Sequence, residues 1–184
     1  MAKKKGASRF DARLLRPAQP RNASWAFVVL PEEASARFPR RGRTTAEGAI
    51  NGQPFEATLE PDGRLSHWFK VDAALCKAAG ATAGDMVALE IAPVAKEPAP
   101  ELPPDLRQAL DDAPEALATW ENTTTLARVD WIHWLTSARQ SATRAKRVAD
   151  ACDMLASGKR RVCCFDPSGY YSKAFAPPEP AGEP

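Results

Sequence analysis

Ala127-Arg128-Val129-Asp130-Trp131-Ile132-His133-Trp134-Leu135, followed by Thr143-Arg144-Ala145-Lys146-Arg147, is the stretch whose reading decides the fold. Trp131 and Trp134 stand about one helical turn apart, and Leu135 and Ala138 continue their face. Thr124 or Thr125 is expected to cap this helix, which runs from Leu126 to about Arg139. Ser141 is expected to cap the next, with Ala145, Val148, Cys152 and Leu155 on its apolar face and Gly158 as its stop. The tryptophans have two readings. Either they pack a core, each stabilising it by roughly 2–3 kcal/mol, or they form a shelf for a base or an apolar peptide. Arg128, one turn before Trp131, is placed to cover an indole face. Arg144, Lys146 and Arg147 fall where cations oppose the helix dipole. They either pair with acids such as Asp150 or grip an anion or carboxylate of a partner.

Moving upstream, Pro104-Asp105 opens a short helix through Leu106 and Leu110, and Pro114 opens another through Trp120. Residues 104–162 therefore read as a compact α-helical domain of about four helices. Prolines 93, 98, 100, 103 and 104 exclude regular structure around 95–103, a Pro-rich linker. Before the linker the signals are β. Trp25 to Leu30 is a strand pattern, and Asn51-Gly52 is a hairpin turn between Thr44–Ile50 and Pro54–Leu59. Asp72 caps a short helix ending at Gly80, and Met86 to Ile91 is a further strand. Phe27–Ile50 and Phe69–Ile91 share one order: strand, short helix, glycine-bearing turn, strand. A small closed β-barrel of five to six strands with two short helices, spanning 22–94, leaves no exposed sheet edge. The fold class is α+β. Residues 1–21, where seven cations face Asp11 alone, are expected to be a disordered basic arm, and residues 163–184 a largely disordered tail.

Composition narrows the function classes. The chain has 184 residues, 44% of them hydrophobic, with a net charge of +2 and a mean hydropathy of −0.39. No apolar run reaches bilayer length, and Arg9, Asp11, Arg13 and Arg16 interrupt the start, so no secretory signal is read and a cytoplasmic location is expected. The four cysteines have no C-x-x-C spacing, which agrees with that location. The adjacent Cys163 and Cys164 are either two thiols or a strained vicinal disulfide. His67 and His133 lack neighbours at ligand spacing, and no nucleophile elbow or phosphate loop is present. No metal, cofactor or catalytic residue is therefore expected, and the balance leans away from an enzyme.

The order Pro104-Asp105-Leu106…Pro114, then Arg128…Trp131…Trp134-Leu135…Thr143-Arg144…Arg147 and Leu155…Gly158, resembles the YdeI or OmpD-associated family, also called the bacteriocin-protection (OmdA-like) family. The resemblance covers about residues 100 to 162. Ile50-Asn51-Gly52…Phe55 and Ala78-Ala79-Gly80…Gly84-Asp85 are similar to the small β-barrel domain of unknown function that often precedes it, with a departure at Ser66-His67-Trp68. The resemblance implies a bacterial protein linked to tolerance of bacteriocins or cationic peptides. It implies no catalytic activity and no ligand.

Three functions follow as expectations. The first is a non-enzymatic stress-tolerance protein that binds a protein or peptide partner through Arg128, Arg144, Lys146 and Arg147. The second is a nucleic-acid binder using the basic arm and Arg144/Arg147, since the strand–helix–strand units resemble a swapped-hairpin DNA-binding fold. The third is a small-ligand site or unrecognised enzyme at the barrel–helix junction, lined by His67, Trp68, Trp131 and Trp134.

Overall fold

The computed structural model describes residues 6–182 and divides into two compact units, residues 1–96 with 168–184, and residues 97–167. The first unit holds strands β1 (Ser8–Arg13), β2 (Ala26–Val29), β3 (Thr44–Ile50), β4 (Gln53–Pro61), β5 (His67–Val71) and β6 (Met86–Pro93), with short helices α1 (Glu32–Ser35) and α2 (Ala73–Ala78). Its strands form one curled, fully antiparallel sheet in the order β1-β6-β3-β4-β5-β2. The class is α+β.

Two corrections concern the start and the seam of this sheet. Residues 8–13 were expected to be part of a disordered arm, yet they form β1 and pair along its length with β6. The cause is a period-two pattern beneath the cations: Ser8, Phe10, Ala12 and Leu14 turn inward while Arg9, Asp11 and Arg13 turn out. Leu14 is fully buried. Residues 1–5 of that arm lie outside the described residues. A closed barrel was expected, but no ladder joins the edge strands β1 and β2. They meet at a single bridge, where Leu15 and Phe27 exchange backbone hydrogen bonds of 2.8 and 2.9 Å. Beyond the bridge Pro17 has no N–H to extend the pairing on its far side, and on the β1 side β2 ends at Val29, just before Pro31 and α1.

The tail is a third correction. Ala18 N–H donates to Glu179 O and Ala181 N–H to Arg16 O, each at 2.7 Å, so residues 179–181 are laid down beside 16–18. The Phe175 carbonyl packs so closely on Gly63 that a Cβ there would overlap it. Residues 183–184 lie outside the described residues.

The repeated order of elements has a structural counterpart. Phe27 and Phe69 lie in equivalent strands, and β2 pairs with β5 so that Phe27 faces Lys70 and Val28 faces Phe69. Equivalent positions thus exchange across a local two-fold. β3 and β6 do the same, with Ile50 facing Leu89, Gly48 facing Ile91, and Ala49 facing Glu90 at the centre. Asn51 (φ 48°) and Gly52 (φ 83°) make the left-handed turn between β3 and β4 that Asn-Gly predicts. The core contains Leu14, Val28, Ile50, Leu59, Phe69 and Ile91, with Phe55 stacked on Phe69 at 5.2 Å.

The second unit holds α3 (Pro104–Asp111), α4 (Pro114–Glu121), α5 (Thr125–Thr136) and α6 (Ser141–Ala156). Thr124 caps α5, its hydroxyl accepting from Ala127 N–H at 3.3 Å. Ser141 does not cap α6; Gln140 stands at that position, with no side-chain bond to the helix. Leu106, Leu110, Trp120, Trp131, Leu135 and Leu155 form the core.

Candidate functional site

α5 carries the aromatic pair. Trp131 is fully buried, and its indole N–H donates to the Arg160 carbonyl at 3.4 Å. Trp134 is half-buried and meets Trp131 edge to face, with centroids 6.1 Å apart. This is core packing in the usual T-shaped geometry of aromatic pairs.

The four candidate cations bind within the helical unit. Arg128 donates to the Trp120 carbonyl at 3.2 Å and the Glu121 carbonyl at 2.9 Å, and its guanidinium lies 5.5 Å over the Trp120 ring. It covers an indole, as expected, but that of Trp120 on the preceding helix. Arg147 repeats the device one helix later. It donates to the Trp134 carbonyl and to Ser137 Oγ (3.1 Å), with its guanidinium 5.3 Å over Trp134. Each arginine thus adds a bond to carbonyls in the last turn of a helix, and brings positive charge to a negative dipole end. Arg144 forms a two-pronged bond with Asp105 of α3, at 2.6 and 3.0 Å, which holds the Asp105 carboxyl below its ordinary pKa. Lys146 pairs with Asp150, one turn on, at 2.7 Å. The unfavourable placement at the start of α6 is therefore offset by partners on α3, on α5 and further along α6 itself.

His67 and Trp68 sit in the sheet unit, apart in the chain from the α5 pair. The buried His67 ring accepts at Nδ1 from Ser35 Oγ (2.7 Å) and donates from Nε2 to the Gly42 carbonyl (3.1 Å). Arg41 donates to the same Ser35 Oγ at 3.3 Å and to Leu65 O at 2.7 Å. Burial lowers the His67 pKa below its ordinary 6.5, and the nearby Arg41 charge pushes the same way against the Gly42 bond, which raises it. A serine–histidine contact is the beginning of a nucleophile, but both side chains are 0% exposed, so here it latches α1 to β5. Trp68 is half-buried and edge-on to Phe27 at 6.1 Å. His67 and Trp131 are each enclosed within their own unit, so neither ring lines an open pocket.

An open hollow lies elsewhere, on the outer face of the sheet, and no motif marked it. It encloses about 400 Å³ and is lined by Arg9, Glu47, Gly48, Ala49, Pro54 and Glu90, among others. A second hollow shares Arg9, Ala49 and Glu90 and adds Asp11 and Ala88. Gly48, Ala49, Gly52 and Ala92 contribute small residues to the lining of the first hollow. At Gly48 a Cβ would overlap the Glu90 carbonyl oxygen. Arg9 bonds Glu90 at 2.9 Å across the β1–β6 pair, and Glu47 stands opposite Glu56 in the β3–β4 ladder. The outward-facing alternate residues of β1, β3 and β6 were the signal, but it is legible only once strand order is known.

Among the described residues, no group of three or more His, Cys, Asp or Glu is arranged to hold a metal ion, and no helix is long and apolar enough to cross a membrane.

The architecture defines a two-module α+β protein, a curled antiparallel sheet followed by four helices clasped by arginine–indole contacts. Residues 99–158 match the family described as bacteriocin-protection, YdeI or OmpD-associated, and residues 10–91 match a domain of unknown function, DUF1905. Residues 99–158 are thus a YdeI/OmpD-associated domain, and the DUF1905 domain precedes it in the chain. A search of curated proteins finds no match to this chain.

Proposed function

We propose that this chain is a non-enzymatic, cytoplasmic stress-tolerance protein of bacterial type whose partner is a cationic peptide segment bound on the outer face of the sheet. The observation that carries this reading is the 400 Å³ hollow over small residues, bordered by Glu47, Glu90 and the adjoining Asp11 against Arg9. Its volume lies in the ordinary range for ligand sites. The Arg9–Glu90 pair is exposed to solvent, so a peptide cation exchanges with Arg9 at little cost. The family's link to bacteriocin protection supports a peptide over other occupants. The internal bonds of Arg128, Arg144, Lys146 and Arg147 turn the partner surface away from those cations.

The test is titration of the full chain with a lysine- and arginine-rich bacteriocin-type peptide. Glu47→Gln with Glu90→Gln should weaken binding at least tenfold, and added salt should weaken it further. Arg144→Ala with Arg147→Ala should leave the affinity unchanged. If no such peptide binds, or the glutamine variant binds as well as the parent, the reading fails. A second reading rests on the exposed run Lys159-Arg160-Arg161. Phosphate contacts there predict duplex or single-strand binding whose affinity falls steeply with salt.

A further inference from the structure

Cys163 and Cys164 lie in the loop after α6, both exposed and both free, with their Sγ atoms 3.3 Å apart. Neighbouring side chains on extended chain point to opposite sides. Here Cys164 adopts φ 58°, in the left-handed region that non-glycine residues rarely enter, and the two sulfurs face each other. The loop is held on both sides of the pair. Upstream, the Trp131 indole bonds the Arg160 carbonyl; downstream, Phe165 lies edge-on to His133 with centroids 5.5 Å apart. Three exposed cations, Lys159, Arg160 and Arg161, precede the thiols. Positive potential attracts anionic reactants.

We propose that Cys163 and Cys164 form a reversible two-electron redox site that exchanges with a small anionic disulfide of the glutathione class. The Cys163 thiolate attacks one sulfur of that disulfide, whose S–S bond breaks and releases one small thiol. A mixed disulfide remains on Cys163. The Cys164 thiolate then attacks Cys163 Sγ and displaces the second small thiol. The two protein thiols are oxidised to one vicinal disulfide, and the small disulfide is reduced to two thiols that carry the two protons.

The division of roles follows from order along the chain: Cys163 is the thiol nearer the basic run Lys159-Arg160-Arg161, and Cys164 touches it at 3.3 Å. The hydrogen bond with Cys163 raises the Cys164 thiol above its ordinary pKa, against a lowering influence from Lys159. That direction suits Cys164 to the second, resolving step. Adjacent Cα atoms about 3.8 Å apart are closer than the roughly 4.4–6.8 Å that relaxed disulfides span. The oxidised ring is therefore strained and readily reduced, which suits a reversible site rather than a permanent cross-link.

The test equilibrates the full chain in graded ratios of reduced to oxidised glutathione, quenches with acid, alkylates under denaturing conditions and weighs the peptides. As the oxidised share rises, Cys163 and Cys164 should lose alkylation together, while Cys76 and Cys152 remain reactive. Cys164→Ser should stop at a glutathione adduct on Cys163. Cys163→Ser should react with the disulfide at least tenfold more slowly than the parent. The proposal is overturned if both thiols stay alkylated at every ratio, if the parent itself stops at the adduct, or if the oxidised product is a disulfide between two chains.

Discussion

The sheet unit and the helical unit solve the same problem by different means. In the sheet, backbone pairing carries the architecture, and its side chains close gaps: Gly48 permits the β3–β6 approach, and Ser35, His67 and Arg41 tie α1 to β5. In the helical unit no inter-element backbone ladder exists, so side chains do the joining. Arg128 and Arg147 each reach the carbonyl end of another helix while covering its indole, and Arg144 reaches Asp105 on α3. The lesson concerns cations. A basic cluster reads as a binding surface in sequence, yet in a small helical unit the same residues serve as its clasps.

The strongest way to break the comparison is to strike each unit where it is least tolerant. Trp131→Ala removes a fully buried indole and should cost the helical unit about 3–5 kcal/mol. Gly48→Ala forces a Cβ into the Glu90 carbonyl and should cost the sheet unit about 3 kcal/mol. Separate cores predict separate consequences. Hydrogen exchange should show lost protection in α3–α6 for the first variant and in β3, β4 and β6 for the second. Equal loss throughout both units, from either change, would mean that the two cores melt as one.

Next in size is the clasp itself. Arg147→Ala gives up bonds to Trp134 O and Ser137 Oγ together with the contact over the Trp134 ring. The expected loss is about 1.5–3 kcal/mol in denaturant unfolding. Arg147→Lys should recover less than half, because a single ammonium cannot form the planar fork and stack at once. A neutral Arg147→Ala would show that the arginine is free to serve a partner after all.

How much of this was visible beforehand depended on the range of each interaction. Asn51-Gly52 at its hairpin, Asp72 and Thr124 as caps, and the duplicated strand–helix–strand order are local signals, and the structure contains each of them. β1 was hidden for a different reason. Its inward alternation Ser8-Phe10-Ala12-Leu14 is clear, but the cations between them read as a solvated arm. The order of the tail comes from partners some 160 residues away in sequence, at Arg16 and Ala18, which no local signal announces. The same limit applies to the candidate site. The indoles announced a core, but nothing near Ser35 announces His67, and nothing near Arg9 announces Glu47 and Glu90 on the same face.

His67 offers a gentler probe, confined to the sheet unit. Its folded pKa lies below the unfolded 6.5, so below that pH the unfolded chain takes up more protons than the folded one. The stabilising contribution is complete above about pH 6.5 and is lost progressively as pH falls toward the folded value. Denaturation followed between about pH 7.5 and 5 should show this decline. His67→Gln should flatten it while lowering stability at neutral pH. A parent protein with no decline across that interval would place the imidazole in water rather than in the latch.

The smallest effect is the most informative about function. The Arg144–Asp105 pair is well formed, but its side chains are 31% and 40% exposed. Water and salt screen such a pair, and exposed ion pairs typically contribute about 0.2–1 kcal/mol. A double-mutant cycle with Arg144→Ala and Asp105→Ala should return a coupling in that range. Because Arg144 holds the Asp105 pKa down, the coupling is present at neutral pH and disappears as acid protonates the carboxylate. A coupling near zero at neutral pH would release Arg144 from its structural role. It would then return the first two turns of α6 to contention as a surface that meets an anionic partner, and weaken the contrast between a helical unit that spends its cations internally and a sheet whose outer face stays open.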